Sequence, residues 1–418
     1  GGTGYGICGV GITCFLGWCF STIGSSKSSG FPTDEEPVSL ASLKRWLCSS
    51  MMPAFFLALA SVMLPLAKTA EWSQLPLPFF GPIIVLMVAA SLLHSRISLL
   101  QAAFLTFSGA LFGCLLAIWW VHSSIISGNA SWGFWCYVAA VGFLVWRSMS
   151  AFASTRCKQP ILMKVFGILV PAIFGIWLVV LWELVVKGFG IPQILLPAPS
   201  VIGGVFAEFS PVLAADFNQT VIRSVIPGFL IGNTLGFLIA VIADRVVFLK
   251  RGLLPLGNLI SAIPIVGIAP IMVMWFGFDW QSKAAVVVIM TFFPMLVNAI
   301  IGLSQSGNME LDLMRSYGAH YWQEFFRLRL PNALPFIFNA LKINSTLALI
   351  GAIVAEFFGT PIVGMGFRIS TEVGRMSLET VWATIAVAAL TGSIFYGFLA
   401  LLERKVTFWH ASFQIKQN

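Results

Sequence analysis

The chain has 418 residues, of which 58% are hydrophobic and only 10% are charged, and its mean hydropathy is +0.92. A typical soluble domain carries about 25% charged residues, so this composition excludes an ordinary soluble protein and indicates an integral membrane protein. The formal net charge of +8 then reflects where basic residues lie relative to the membrane. It does not indicate a nucleic-acid partner.

The length of the apolar runs indicates helices. Continuous runs of about 18 to 26 residues suit α-helices that cross roughly 30 Å of hydrocarbon, whereas the strands of a membrane barrel are short and alternate between apolar and polar residues. We therefore predict an all-α integral membrane protein. The seven cysteines contain no C-x-x-C pair and the four histidines are scattered, so the sequence predicts no metal site and no redox site.

The amino-terminal part contains five apolar segments, at residues 5–24, 51–68, 76–94, 97–122 and 132–150. These predict a transmembrane extension of about five helices at residues 1–157. No ionisable residue lies in the middle of the five segments, so nothing in them marks a substrate path. The glycine content of residues 1–24 leaves open whether they form a spanning helix or a signal-like segment.

Tryptophans lie near the ends of the later segments of this extension. They are Trp119, Trp120, Trp132, Trp135 and Trp146. Because indole rings prefer the membrane interface, we interpret these residues as interfacial anchors.

Six further apolar segments follow, at residues 161–187, 218–243, 253–277, 284–306, 336–358 and 379–402. They predict a six-helix core at residues 158–410, followed by a cytoplasmic tail at 411–418. Placing the basic stretch 147–164 in the cytoplasm leaves eighteen of the 24 basic residues inside, as the positive-inside rule requires. The prediction is a multi-pass protein of the cell inner membrane with eleven crossings, an outer amino terminus and a cytoplasmic carboxyl terminus.

A polar segment, residues 310–335, separates two of the core helices. Its charged residues cannot lie in hydrocarbon, so we expect it to leave the membrane and to re-enter near Pro335. Gly318 would cost a helix interior about 1 kcal/mol relative to alanine, which favours a break between two short helices. Four-residue spacing also predicts an apolar stripe that comprises Leu313, Tyr317, Tyr321 and Phe325.

The polar segment carries a family motif. Nine residues separate Gly318 from the run Leu328-Arg329-Leu330-Pro331, and Asp312-Leu313-Met314 stands six residues before the glycine. This pattern resembles the EAA loop of binding-protein-dependent ABC importer permeases, with the E-A-A triplet itself replaced. The resemblance implies that residues 310–331 are a coupling loop that docks into a cytoplasmic ATPase. The residues that it assigns to this coupling are Asp312, Arg315, Gly318, Ala319, Leu328, Leu330 and Pro331.

Other core motifs are similar to the permease branch that serves nitrate, sulfonate, taurine, bicarbonate and thiamine- or riboflavin-precursor importers. They include Trp182-Glu183, LPAPS at 196–200, three glycines in 228–236, Phe292-Phe293-Pro294, and GAIVAEFFGTPIVGMGFRI at 351–369. The resemblance implies a type I permease fold. Candidate residues for a gate or a substrate path are Glu183, Pro264, Pro270, Pro294 and Glu356.

Each of these features also has a simpler interpretation. Gly228, Gly232 and Gly236 favour close helix packing over a pore-lining role. The prolines kink helices whether or not they border a path, and interfacial solvation would account for the glutamates near helix ends. Three charged residues, Arg368, Glu372 and Arg375, are expected in a solvated outer loop, although they could also face a binding protein or an anionic substrate.

The resemblance implies a transport subunit and not an enzyme. The chain has no G-x-x-x-x-G-K-[ST] sequence, so no cofactor is expected in it, and ATP and Mg would lie on a partner. The expected partners are an ABC ATPase dimer, a second permease subunit, a periplasmic or lipid-anchored binding protein and membrane lipid, without nucleic acid. The expected substrate is a small polar solute, either a sulfonate- or nitrate-like anion or a vitamin or pyrimidine precursor. An ion-coupled secondary transporter and a membrane scaffold protein remain as alternatives.

Overall fold

A computed structural model describes residues 54–67, 85, 99–123, 126–154, 160–261, 263–359 and 362–409. Within these ranges the chain is helical apart from connecting turns, which confirms the all-α prediction. Seven of the described helices are long and apolar enough to cross a membrane. An eighth span results if the bent pair Phe248–Ile260 and Ile265–Phe276 counts as one crossing.

The spans correspond to predicted apolar segments. Those outside the bent pair are Gln101–His122, Trp132–Ser154, Val165–Phe189, Ser210–Arg245, Trp280–Leu303, Tyr321–Glu356 and Leu378–Val406. The predicted segment at 5–24 lies outside the described residues, and so does the segment at 76–94 apart from Val85. The predicted segment at 51–68 contains a helix of only ten residues, Ala54–Met63, within its described part.

The chain divides into two compact units between Leu184 and Val185. In the described part of the first unit the helices are α1 (Ala54–Met63), α2 (Leu99–His122), α3 (Trp132–Ser154) and α4 (Pro160–Phe189), the last of which runs across the division. The proposed boundary at 157/158 follows the family resemblance and stays a prediction.

The core of the first unit corrects one interpretation of its tryptophans. Trp120 is fully buried, and its ring centroid lies 5.1 Å from that of Tyr137. It therefore packs inside the bundle and is not an interfacial anchor. Its neighbour Trp119 is 48% exposed, because consecutive residues of a helix point about 100° apart.

The second unit contains the remaining helices. They are α5 (Pro199–Glu208), α6 (Ser210–Phe217), α7 (Ile226–Arg245), α8 (Val247–Ser261), α9 (Ile265–Phe276), α10 (Trp280–Leu303), α11 (Asn308–Ser316), α12 (Tyr321–Glu324), α13 (Leu330–Glu356), α14 (Met365–Gly374) and α15 (Leu378–Val406). Two π-helical segments, Asn218–Val225 and Phe325–Arg329, join α6 to α7 and α12 to α13.

Helix α7 packs closely against α10 through its glycines. A Cβ atom added at Gly228 or at Gly232 would lie 2.8 Å from a backbone carbonyl oxygen of α10, and one added at Gly236 would lie 2.6 Å from another. Contacts this short exclude any side chain larger than hydrogen. The three glycines thus have the packing role that their spacing predicts.

Two uninterrupted helical rods cross this unit. The first rod, Ser210–Arg245, and the second rod, Tyr321–Glu356, have 36 residues each, or about 54 Å of helix. The second rod begins well before the predicted re-entry at Pro335. Pro331 and Pro335 both lie inside this rod, and the π-helical segment Phe325–Arg329 directly precedes Leu330 and Pro331.

Candidate functional site

Helix α11 lies on the surface of the second unit. None of its residues is buried, and Met309, Leu313 and Tyr317 just after it are between 58% and 83% exposed. Its charged residues Asp312 and Arg315 form an exposed pair, with 3.5 Å between Oδ1 and an arginine nitrogen. Only Leu311 and Met314 of α11 are partly buried, so the helix presents most of its surface for contact with another molecule.

Gly318 separates α11 from α12, as the sequence predicts. Its φ angle is +71°, in the left-handed region that glycine adopts at little cost. This break makes the prediction of one continuous apolar stripe wrong. Leu313 and Tyr317 are exposed before the turn, whereas Tyr321 and Phe325 pack into the protein after it, because the turn changes the direction of the helix.

The residues after Gly318 are held against the end of α7. The Arg245 guanidinium carbon lies 4.0 Å from the ring centroid of Tyr321 and 4.7 Å from that of Trp322, within the range of cation–π attraction. Ala319 in the turn is partly buried. The polar segment therefore has a free first half and an anchored second half.

An ion-pair cluster lies beside this aromatic contact. An Arg329 nitrogen donates to Asp244 Oδ2 at 2.6 Å, and its second terminal nitrogen lies 2.5 Å from Glu324 Oε1. The side chains of Asp244 and Glu324 are only 3% and 8% exposed. Leu328, Leu330 and Pro331 are partly buried around the same turn, three more of the residues that the motif assigns to coupling.

At the opposite end of the two rods, buried side chains cap helix α14. Glu356 accepts hydrogen bonds from the Thr220 hydroxyl at 2.8 Å and from Gly366 N at 2.6 Å, while Met365 N donates to Thr220 Oγ1 at 2.8 Å. Asp216 accepts from Gly364 N at 2.8 Å. The first N–H groups of a helix have no partner within it, and here other elements supply one for three successive residues.

The same network corrects the prediction of a solvated outer loop. Residues 365–374 form α14, where Arg368 Nε donates to Asp216 Oδ2 at 2.8 Å and Glu372 is 7% exposed. The hydrogen bond to Asp216 raises the pKa of Arg368 above its usual value, so this guanidinium keeps its charge. Only Arg375, at 68% side-chain exposure, matches the solvated interpretation.

A surface cavity of about 700 Å³ opens near this network. Its lining residues are Ala215, Asn218, Gln219, Arg223, Phe278, Asp279 and Val363. Gln219 bridges the two charged residues, since its amide nitrogen lies 3.3 Å from Asp279 Oδ1 and its amide oxygen 3.4 Å from an Arg223 nitrogen. The cavity thus offers a cation, a carboxylate and an amide within one small space.

The structure separates the residues predicted for a gate or a substrate path. Glu356 is 2% exposed in the network at the end of α13. Pro264 precedes the first residue of α9, while Pro270 and Pro294 lie inside α9 and α10. Glu183 belongs to the first unit, where it is 5% exposed and 3.5 Å from His122 Nε2.

Several polar residues of this arrangement escaped the sequence analysis. They are Asp216, Thr220, Asn233, Asp244, Arg245, Lys283 and Asn344. Lys283 is fully buried in the first turn of α10, where its amino group donates to the Phe278 carbonyl oxygen. A polar residue inside an apolar run is a signal for Thr220, Asn233 and Asn344, although it does not reveal the partner.

Comparison with known proteins agrees with the motifs. The chain is 31% identical over 239 residues to a formylaminopyrimidine transport permease protein of Halalkalibacterium halodurans, covering 57% of this chain and 95% of that protein. The family described as the binding-protein-dependent transport system inner membrane component matches residues 232–408. The chain belongs to this family. It is therefore a multi-pass inner-membrane permease, a transport subunit rather than an enzyme.

Other relatives of the permease differ in the solute that they are named for. A riboflavin transport system permease protein of Chloroflexus aurantiacus is 28% identical, over 56% of this chain and 88% of the relative. A putative aliphatic sulfonates transport permease protein of Bacillus subtilis is 29% identical, over 59% of this chain and 88% of the relative. Family membership decides against the secondary-transporter and scaffold alternatives. The rest of the permease, more than two fifths of its length, lies outside these matches.

Proposed function

We propose that this permease imports a small polar solute and is driven by a separate ABC ATPase that docks on the coupling loop, residues 310–331. The observation that carries the proposal is the two-part construction of this loop. Helix α11 has no buried residue, whereas Arg329 behind it is held by Asp244 and Glu324. A partner that binds α11 can therefore move it, and the anchored half passes that movement to the rods.

The cavity at the other end of the rods suits the solute. Arg223 suits an anionic group, and Asp279 and Gln219 suit hydrogen-bond donors and acceptors of a polar ring. Sulfonate- or nitrate-like anions and vitamin or pyrimidine precursors are the two substrate classes. Relatives are named for aliphatic sulfonates, riboflavin and formylaminopyrimidine. A periplasmic or lipid-anchored binding protein would deliver the solute, and a second permease subunit would complete the path.

The test is ATP-driven uptake by proteoliposomes that contain the permease, its ATPase and its binding protein. The candidate solutes are taurine, nitrate, riboflavin and formylaminopyrimidine, each first tested for thermal stabilisation of the binding protein. We expect one of them to accumulate only with ATP. Accumulation that needs an ion gradient and no ATP would contradict the proposal.

A matched pair of substitutions tests the docking site. Leu313→Asp changes an exposed residue of α11, whereas Ile194→Asp changes a residue of similar exposure in the connection between α4 and α5. We expect only the first substitution to reduce co-purification of the ATPase. Equal loss in both variants, or in neither, would place the ATPase elsewhere.

A further inference from the structure

The two rods of the second unit contact each other through side chains at three levels. They run antiparallel, because the last residues of the first rod, Ser210–Arg245, lie beside the first residues of the second rod, Tyr321–Glu356. Each level joins one residue of the first rod to one of the second. The three contacts differ in chemistry.

The first level is an ion pair. Asp244 of the first rod accepts from Arg329 of the second at 2.6 Å, with the two side chains 3% and 17% exposed. Burial removes most of the water that would otherwise compete for these charges. Losing one partner would therefore leave the other charge buried and unpaired, which is costly.

The second level is an amide pair near the middle of the rods. Asn344 Nδ2 donates to Asn233 Oδ1 at 2.6 Å and to the Thr291 carbonyl oxygen of α10 at 2.7 Å. Asn344 is fully buried and Asn233 is 6% exposed. Hydrocarbon offers no water to replace such bonds, so a displaced amide would stay unsatisfied until it found another protein partner.

The third level joins the rods to α14. Thr220 of the first rod donates to Glu356 of the second at 2.8 Å. The same two side chains accept from Met365 N and Gly366 N, the first backbone groups of α14. A displacement of the rods at this level therefore moves the start of α14 as well.

The three contacts keep one antiparallel register. From Asp244 to Thr220 the first rod rises about 36 Å, and from Arg329 to Glu356 the second rises about 40 Å, both more than the roughly 30 Å of membrane hydrocarbon. Sliding one rod past the other would break all three contacts together. Tilting one rod alone would break at least one buried contact.

From this geometry we infer that the two rods form a single rigid lever, in which Asn233 and Asn344 are positioning residues that keep the rods in register. The lever carries movement of the coupling loop to α14. This inference rests on the proposed function, since the ATPase supplies the movement. Neither asparagine contacts the exposed helix α11, so their role is transmission and not docking.

A cross-link distinguishes a rigid pair from sliding helices. Asn233→Cys and Asn344→Cys are combined in a variant whose seven native cysteines are replaced by alanine, and the pair is joined by copper phenanthroline or a short bifunctional thiol reagent. A rigid lever needs no movement between the joined positions. Because the reduced form lacks the amide pair, we expect it to import less solute per ATP than the parent, and we expect cross-linking to raise its ATP-driven uptake at least twofold. Unchanged uptake on cross-linking would contradict the inference.

The single variant Asn344→Cys, treated with the same reagent, controls for chemical damage. Loss of uptake on cross-linking of the double variant, reversed by reduction and absent from the control, would overturn the rigid lever. Absence of ATP-driven uptake in the complex of the parent permease would instead count against the proposed function. The two failures are therefore distinguishable.

A second pair of variants tests the middle contact. Asn233→Leu with Asn344→Leu removes the amide pair, whereas Lys342→Met with Glu403→Met removes a partly buried ion pair of 2.8 Å that joins the second rod to α15. We expect the leucine variant to hydrolyse ATP within twofold of the parent but to import at least fivefold less solute per ATP. An unchanged ratio, or an equal fall in the methionine variant, would contradict the inference.

Discussion

At the scale of single residues, backbone conformation and buried polar contacts decide what a substitution does. Gly318 has a left-handed φ of +71°, and a Cβ added there would meet no atom within 4 Å. The glycine is thus required by its conformation and not by lack of space. Glu356 is the opposite case, because its carboxylate is enclosed by Thr220 and Gly366.

We predict that Gly318→Val weakens ATPase docking. A β-branched residue disfavours the left-handed conformation, at a cost of roughly 1–2 kcal/mol, which is enough to displace α11 and too little to unfold the bundle. Gly318→Asn is the control, because asparagine tolerates this conformation. The measurement is ATPase stimulation by loaded binding protein in the reconstituted complex. Equal stimulation in the valine and asparagine variants would contradict the conformational explanation.

We predict that Arg315→Ala has a smaller effect on the same assay than Gly318→Val. Arg315 is 62% exposed and its partner Asp312 is 74% exposed, and an exposed ion pair contributes only about 0–1 kcal/mol. The measurement is ATPase stimulation at increasing concentrations of loaded binding protein, for variants that are expressed normally in the membrane. A loss as large as that of the valine variant would show that Arg315 itself contacts the partner.

We predict that Glu356→Gln destabilises the permease by about 1–3 kcal/mol, the cost of a buried group left without its hydrogen bond. A glutamine amide group would place a donor where Thr220 and Gly366 already donate. Glu310→Gln, in the exposed helix α11, is the control. Thermal unfolding in detergent should show a lower midpoint temperature for the first variant alone. Equal midpoints would mean that the hydrogen bonds of this carboxylate do not stabilise the permease.

At the scale of elements, the permease core depends on how closely α7 and α10 approach. The glycines of α7 let backbone meet backbone, and Asp279 caps the start of α10 by accepting from Trp280 N at 2.8 Å. Helix α9 ends at a glycine turn, because Gly277 after it has a left-handed φ of +83°. These local features place the rods within reach of each other's side chains.

We predict that Gly232→Ala destabilises the α7–α10 contact by about 1–3 kcal/mol, as overpacking generally does. The new Cβ would lie 2.8 Å from the Val288 carbonyl oxygen. Gly203→Ala in α5 is the matched control, since a Cβ there meets nothing within 4 Å. The yield of monodisperse protein and its unfolding temperature should both fall for the first variant only. A fall of equal size in both would contradict the packing explanation, because alanine has the higher helix propensity and should not destabilise α5.

At the scale of the whole molecule, the orientation in the membrane remains a prediction from the basic residues. Ser282 lies next to an expected outer loop, where a cysteine could be introduced for thiol labelling. It is fully buried, so a reagent would not reach it. The neighbouring Gln281 and, at the other end of α10, Ser304 are both exposed. These two positions provide the test of topology.

We predict that Gln281→Cys reacts with a membrane-impermeant thiol reagent from outside and that Ser304→Cys reacts only after the cytoplasmic side is opened. The reason is that α10 crosses the membrane once, and the positive-inside rule places the polar segment in the cytoplasm. Each substitution is made in a cysteine-free background, which itself is the control. Reaction of both positions from the same side would contradict the predicted topology.

The sequence by itself determined the all-α membrane class, the positions of the described spans to within one or a few turns, the glycine contact face and the break at Gly318. These follow from composition, from periodicity and from backbone preferences, which act locally. It also carried enough of a motif to indicate the permease family. The start of the second rod at Tyr321 was missed, because the charged residues before Pro335 show where the chain leaves hydrocarbon but do not end the helix.

Only the tertiary structure decided which polar residues meet. Asp244 and Arg329, Asn233 and Asn344, and Thr220 and Glu356 are each about 85 to 136 residues apart in the chain. No local pattern encodes such pairs, because their proximity arises from the antiparallel packing of two rods. The same reason explains why Arg368 and Glu372 were expected in solvent. Arg368 is held by Asp216, a residue from a distant helix, and Glu372 in turn pairs with Arg368.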